Sequence, residues 1–156
     1  MPLNLYFCAM DNIFTDEYFM RKALDEAEAA FDEGEIPVGA VVVVDNRVIA
    51  RTHNLTEMLN DVTAHAEMQA ITSAANFLGG KYLKGCTLYV TLEPCQMCAG
   101  ALYWSQITKI VFGARDPQRG FIANGTTLHP KTAVVSGVLE ANASELMLRF
   151  FASKRK

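Results

Sequence analysis

The sequence predicts an α/β chain folded as a three-layer α/β/α sandwich around one mixed, five-stranded sheet. An uninterrupted apolar run at 38–44 is followed by Asp45-Asn46 and a second short run from Arg47, the pattern of a hairpin whose first strand is buried on both faces. Downstream, strand-like segments alternate with segments of helical period, which places helices on both faces of a sheet. The 156 residues, 51% of them hydrophobic, suffice for one full core without disulfide staples.

Residues 1–14 show no clear periodicity and read as an N-terminal extension with Cys8 a bystander, and 15–156 read as one domain. Thr15 is a candidate N-cap followed by Asp16 and Glu17; Phe19, Ala23, Leu24, Ala27, Ala30 and Phe31 then trace one helical stripe that Gly34 can close. After the hairpin, a polar loop at 54–61 leads to a helix over 64–77, with Ala66, Ala70, Ile71, Ala74 and Ala75 inward and Gly79-Gly80 as its stop. Segment 87–92 sets Leu88, Val90 and Leu92 against Thr87, Tyr89 and Thr91 and reads as the central strand; Pro94 ends it, and Cys95 and Cys98 open an Ala-rich helix. Further strands are expected at 107–112 and 133–135, joined by an irregular connection (114–131) of a length that usually signals function or mobility. The last helix is expected to open on the capping-box pattern Asn142-Ala143-Ser144-Glu145 and to bury Leu146, Met147, Phe150 and Phe151.

A net charge of −3 gives no global attraction for nucleic acid, so an RNA partner must be held by a local patch. Arg115, Arg119 and Lys131 flank the long connection, and Arg149, Lys154, Arg155 and Lys156 gather at the C-terminus. Four cysteines, two in a C-x-x-C, behind a start (MPLNLYFCAM) without a basic n-region indicate a cytoplasmic chain with no membrane association, using its thiols for metal or redox work.

Cys95 and Cys98, three apart, fall on one face of a helix's first turn, where unpaired N–H groups and the helix dipole favour thiolate, the metal-binding form. His65 and Glu67 stand two apart, so they share a site only if it lies beyond the N-terminal end of their helix. Two helix N-termini then converge, with His65, Cys95 and Cys98 as three ligands suited to zinc and a fourth position left for water. Zinc lowers the pKa of bound water from 15.7 toward about 7, and Glu67 is the candidate to accept that proton and return it to a departing amine. Two non-catalytic readings compete: a thioredoxin-like redox pair, which leaves His65 and Glu67 unexplained, and a closed structural zinc site, which needs Cys86, His53 or His129 as fourth ligand. Cys86 reads more simply as a small buried hydrophobe; His53 either lines a pocket beside Asn54 or is a satisfied polar residue at a strand end.

His65-Ala66-Glu67 followed by Pro94-Cys95-Gln96-Met97-Cys98 resembles the H-x-E and P-C-x-x-C pair of the zinc deaminases. GEIPVGA at 34–40, DVTAHAE at 61–67, LYVTLEPCQMCAG at 88–100 and VFGA at 111–114 are similar to the bacterial tRNA-specific adenosine deaminases, over about residues 15–155. That resemblance implies a cytidine-deaminase-like fold, a homodimer with one zinc per subunit, and conversion of adenosine to inosine at the wobble position of a tRNA anticodon loop. It implies Glu67 as catalytic acid/base, His65, Cys95 and Cys98 as zinc ligands, Asn54 and Ala66 at the flipped base, and RNA contacts from Arg119, Lys154 and Arg155. The chain departs from the family at Ser105-Gln106-Ile107 and at DPQRG, 116–120. Tyr103-Trp104 is similar to a segment of bacterial guanine deaminases, which makes a free nucleobase the alternative substrate; IPVGA at 36–40 argues against it, since those enzymes tend to GPFGA.

Overall fold

The computed structural model describes residues 12–155, so Cys8 and Lys156 lie outside the described residues. The chain runs through α1 (Asp16–Asp32), β1 (Gly39–Val44), β2 (Arg47–His53), α2 (Ala66–Leu78), β3 (Thr87–Leu92), α3 (Gln96–Ser105), β4 (Lys109–Ala114), β5 (Ala133–Val135) and α4 (Glu140–Lys154). The strands form one sheet in the order β2-β1-β3-β4-β5. β1 is antiparallel to β2 and β3, whereas β3, β4 and β5 run parallel, which makes the sheet mixed as the sequence implies.

Alternation along β1 builds the three layers. Val41 and Val43 pack with Phe19, Met20 and Ala23 of α1 on one face. Ala40 and Val42 join Ala66, Ala70 and Ala74 of α2 and Ala99 and Leu102 of α3 on the other. α4 packs beside α1. The approach of α1 is close enough that a Cβ at Gly39 would overlap Ala23 O and Ala27 N, so only glycine fits there. Asp45 and Asn46 both take positive φ, 49° and 60°, the two-residue turn whose twist matches the hairpin.

Thr15 caps α1 through a bond accepted from Tyr18 N at 3.1 Å. Gly79, at φ 70°, ends α2. Three boundaries differ from expectation. α2 begins at Ala66 rather than 64, because Leu55 N donates to Ala64 O and Gln69 Nε2 donates to His53 O and Ala64 O, which holds residues 64–65 extended against β2. β4 begins two residues late: Gln106 turns through φ 55° and the Ser105 hydroxyl accepts from Ile107 N, so Ile107 enters the core as a turn residue. The capping box at 142–145 does not form. α4 starts at Glu140 behind Leu139 (φ 53°), since packing of Val138 and Leu139 beside Val41 and Val111 sets the chain's entry before a local cap can.

The phase of α4 also corrects the expected burial. Ala143, Leu146 and Phe150 are buried, while Phe151, 41% exposed, falls outside that stripe. No described helix is long and apolar enough to cross a membrane.

Candidate active site

The C-terminal ends of β2, β3 and β4 and the N-terminal end of β1 lie at one end of the sheet, where crevices form in α/β folds. A cavity of about 780 Å³ opens there, lined among others by Asn54, His65, Ala66, Glu67, Cys95 and Arg119. Its floor comes from two helix starts. His65 is the N-cap of α2 and Cys95 the N-cap of α3, and neither side chain makes the capping hydrogen bond that a Ser or Asp would make there. Both turn instead toward each other, and Cys98, buried in the first turn of α3, completes the group.

His65 Nδ1 lies 3.7 Å from Cys95 Sγ and 3.5 Å from Cys98 Sγ. Zinc held tetrahedrally by nitrogen at about 2.0–2.1 Å and sulfur at about 2.3 Å requires N···S edges of about 3.6 Å. Both thiols are free. The donor set and its spacing therefore fit zinc, and a redox pair would give His65 no role in the triangle. Among the described residues neither Cys86, His53 nor His129 joins the group, which leaves the closed four-ligand reading without a fourth ligand.

A hydrogen bond from the Cys98 thiol, with help from His65, brings the Cys95 thiol down to about 4 despite burial. The same bond and burial push Cys98 above the ordinary thiol range. His65 is raised, chiefly by its hydrogen bond to Cys95. Glu67, 4% exposed in the first turn of α2, has its carboxyl pushed up to about 7 by burial.

A model of the cytidine and deoxycytidylate deaminase zinc-binding region matches residues 14–114. The chain belongs to this deaminase family. It is 46% identical over 144 residues to a tRNA-specific adenosine deaminase of Agrobacterium fabrum, covering 88% of this chain and 95% of that one. A structure from studies of A-to-I editing by tRNA:A34 deaminases at the wobble position of transfer RNA superposes with a TM-score of 0.78 at 44% identity, over 83% of this chain and 98% of that one. A guanine deaminase from Nitrosomonas europaea superposes with a TM-score of 0.76 at 26% identity, over 88% and 85%. The family and the His65-Cys95-Cys98 group together fit one zinc ion per deaminase subunit.

The deaminase cavity gathers most of the residues singled out in the sequence. Asn54 is buried at its edge, where Nδ2 donates to Glu35 Oε2 and Thr56 Oγ1, both at 3.3 Å. The reverse amide orientation would set Oδ1 against a carboxylate oxygen, so the network fixes Oδ1 as the atom left to accept from a ligand. His53 is not a pocket residue: its ring is held between Glu26 and Glu33, each at 2.9 Å, on the α1 side. Cys86 is fully buried in the core. Arg115 and Arg119 line the cavity; Lys154 and Arg155 do not, and Lys154 Nζ sits 5.3 Å above the Phe150 ring.

Two buried carboxylates beside the cavity, Glu35 and Glu93, are not among the residues the sequence motifs single out. Glu35 accepts from Asn54, from Glu57 N at 3.1 Å and from Met58 N at 2.7 Å. Glu93 accepts from Asp116 N at 3.3 Å and Ile122 N at 3.1 Å. The available signal was an acidic residue amid apolar neighbours at each position, Glu35-Ile36-Pro37 and Leu92-Glu93-Pro94, since an acid buried in such a place needs donors. Met147 and Phe151, assigned to the core from sequence, line the cavity together with Leu148.

Proposed function

We propose that this chain is a zinc-dependent hydrolase that converts adenosine to inosine at the wobble position of tRNA, with release of ammonia. The observation that carries the reading is a His65-Cys95-Cys98 triangle with tetrahedral N···S edges, facing the same cavity as a buried Glu67 that stands outside the group, in a chain 46% identical to a tRNA-specific adenosine deaminase. His65, Cys95 and Cys98 hold the metal. Zinc, when bound, supplies Lewis-acid activation of water for attack on an electrophilic ring carbon.

The remaining roles belong to side chains around it. Glu67, whose carboxyl is shielded from bulk water, takes one proton from the attacking water and delivers it to the ring nitrogen, then takes the remaining proton from the added hydroxyl and delivers it to the departing amine, so that water and adenosine yield inosine and ammonia. Asn54 accepts from the substrate through Oδ1, and Ala66 forms the wall beside it. Arg119 at the cavity, with Lys154 and Arg155 at the end of α4, meets RNA phosphates. Residues 15–156 act as one deaminase domain with 1–14 an extension to it. The protein acts in the cytoplasm and two copies pair; 77% exposed Trp104 and 83% exposed Val62 lend support to the pairing, which sedimentation tests.

The deciding experiment is ammonia release from an anticodon stem-loop carrying A at the wobble position, beside free guanine, adenine and cytosine. Release from the stem-loop with inosine in the product is the expected result. Release from guanine alone transfers the assignment to the guanine deaminases, whose fold the chain also matches.

A further inference from the structure

The segment at 93–95 carries two things at once. Cys95 is a metal ligand, and Glu93, 4% exposed, fastens the loop after β4 with both carboxylate oxygens: Oε1 accepts from Asp116 N at 3.3 Å and Oε2 from Ile122 N at 3.1 Å. Those two N–H groups bracket the turn that presents Arg119 to the cavity. The backbone repeats the attachment. Glu93 N donates to Ala114 O, Phe121 N donates to Pro94 O, and Cys95 pairs with Gly120 in an isolated bridge. Gly120 lies so close that a Cβ there would overlap Glu93 Oε2. Within the turn, Asp116 Oδ1 accepts from Gln118 N and Arg119 N, so the turn moves as a unit once its attachment to Glu93 is lost.

We infer that Glu93 is a positioning residue: its carboxylate fixes the Arg115–Arg119 wall of the cavity against the metal-bearing start of α3, and so sets where the polyanionic part of the substrate is held relative to the reacting base. The substrate half of this inference rests on the proposed function; the mechanical half does not. Glutamine in its place keeps the shape but supplies one acceptor and one donor to two N–H groups, so one of them loses its partner. A hydrogen bond to a charged acceptor of this kind corresponds to roughly a tenfold change in the population of the opened turn.

Limited trypsin digestion read by mass spectrometry measures that opening at Arg119-Gly120, where the exposed arginine precedes a buried glycine, in zinc-loaded and zinc-free protein alike. Glu93→Gln is expected to speed cleavage there roughly tenfold while zinc stays at one per chain, and to raise KM for the stem-loop about tenfold with kcat changed by less than about threefold. Gly120→Ala disturbs the same contact from the loop side, its Cβ meeting Glu93 Oε2 and also Asp116 O within the turn; it is expected to speed cleavage at Arg119 at least as much, and decides the matter when Glu93→Gln does not fold. The double variant is expected to be no worse than the worse single one, because both remove one attachment. Unchanged cleavage at Arg119 in both variants, or effects that add in the double variant, overturns the inference. Absence of deamination by the unmodified protein defeats the proposed function and leaves the cleavage test standing.

Discussion

Glu35 lies 1% exposed between the turn after α1 and the start of β1, and its carboxylate accepts three hydrogen bonds from the other side of the cavity mouth. Oε1 takes Met58 N; Oε2 takes Glu57 N and Asn54 Nδ2. In Glu35→Gln, an amide oxygen placed at Oε1 leaves an NH₂ facing two donors, and the flipped amide leaves it facing one. At least one N–H is therefore stranded in either orientation, at about 1–3 kcal/mol. For a chain of this length each kcal/mol corresponds to about 2–4 °C in Tm, so the zinc-loaded variant is expected to melt about 2–12 °C lower. Asn54 loses its orienting carboxylate in the same change, so kcat/KM is expected to fall about tenfold or more while zinc stoichiometry is unchanged. Thermal melts and steady-state ammonia release on the same preparations read both effects. An unaltered Tm together with unaltered kcat/KM would refute the reasoning, because it would mean that the carboxylate holds neither the 54–58 loop nor the asparagine.

Other perturbations test separate parts. Cys95→Ser is expected to weaken zinc binding by at least about a hundredfold and to lower the melting temperature with it; full zinc stoichiometry at wild-type affinity contradicts Cys95 as a ligand. Burial pulls the His53 pKa down, but hydrogen bonds to Glu26 and Glu33 and their charges outweigh it, so the folded value lies above 6.5. The stabilisation is then fully present below pH 6.5 and is lost as pH rises through the raised folded value. The Tm gap between the wild type and His53→Gln should accordingly narrow from acid to alkaline pH, and a gap that widens contradicts the Glu26-His53-Glu33 bridge. Removal of 154–156 is expected to weaken stem-loop binding and flatten its salt dependence without altering melting; an unchanged salt slope removes the C-terminal cations from the interface.

The layers were legible because β1 alternates: Val41 and Val43 against Ala40 and Val42 divide between the two cores, and the apolar run of 38–44 signals burial on both faces. The metal group was legible because its spacing is local. The thiols stand three positions apart, and the two-residue offset of His65 and Glu67 has one solution, a site beyond a helix end. What stayed hidden depends on distant partners. Glu93 bonds backbone groups 23 and 29 residues away, and those N–H groups carry no side-chain signature. Helix phase failed for a related reason: the capping box at 142–145 is a sound local signal, but α4 starts earlier, behind the half-buried Val138 and Leu139 that pack against the core, and Phe151 falls on the cavity side.

The proposed reaction needs Glu67 beside the metal but not bound to it. Zinc per chain in purified Glu67→Ala, measured by plasma mass spectrometry alongside turnover of the stem-loop, tests this directly. One zinc per chain with turnover reduced by at least about a hundredfold is the expected result. Loss of the metal from that variant would make Glu67 a fourth ligand and close the position that the chemistry needs open.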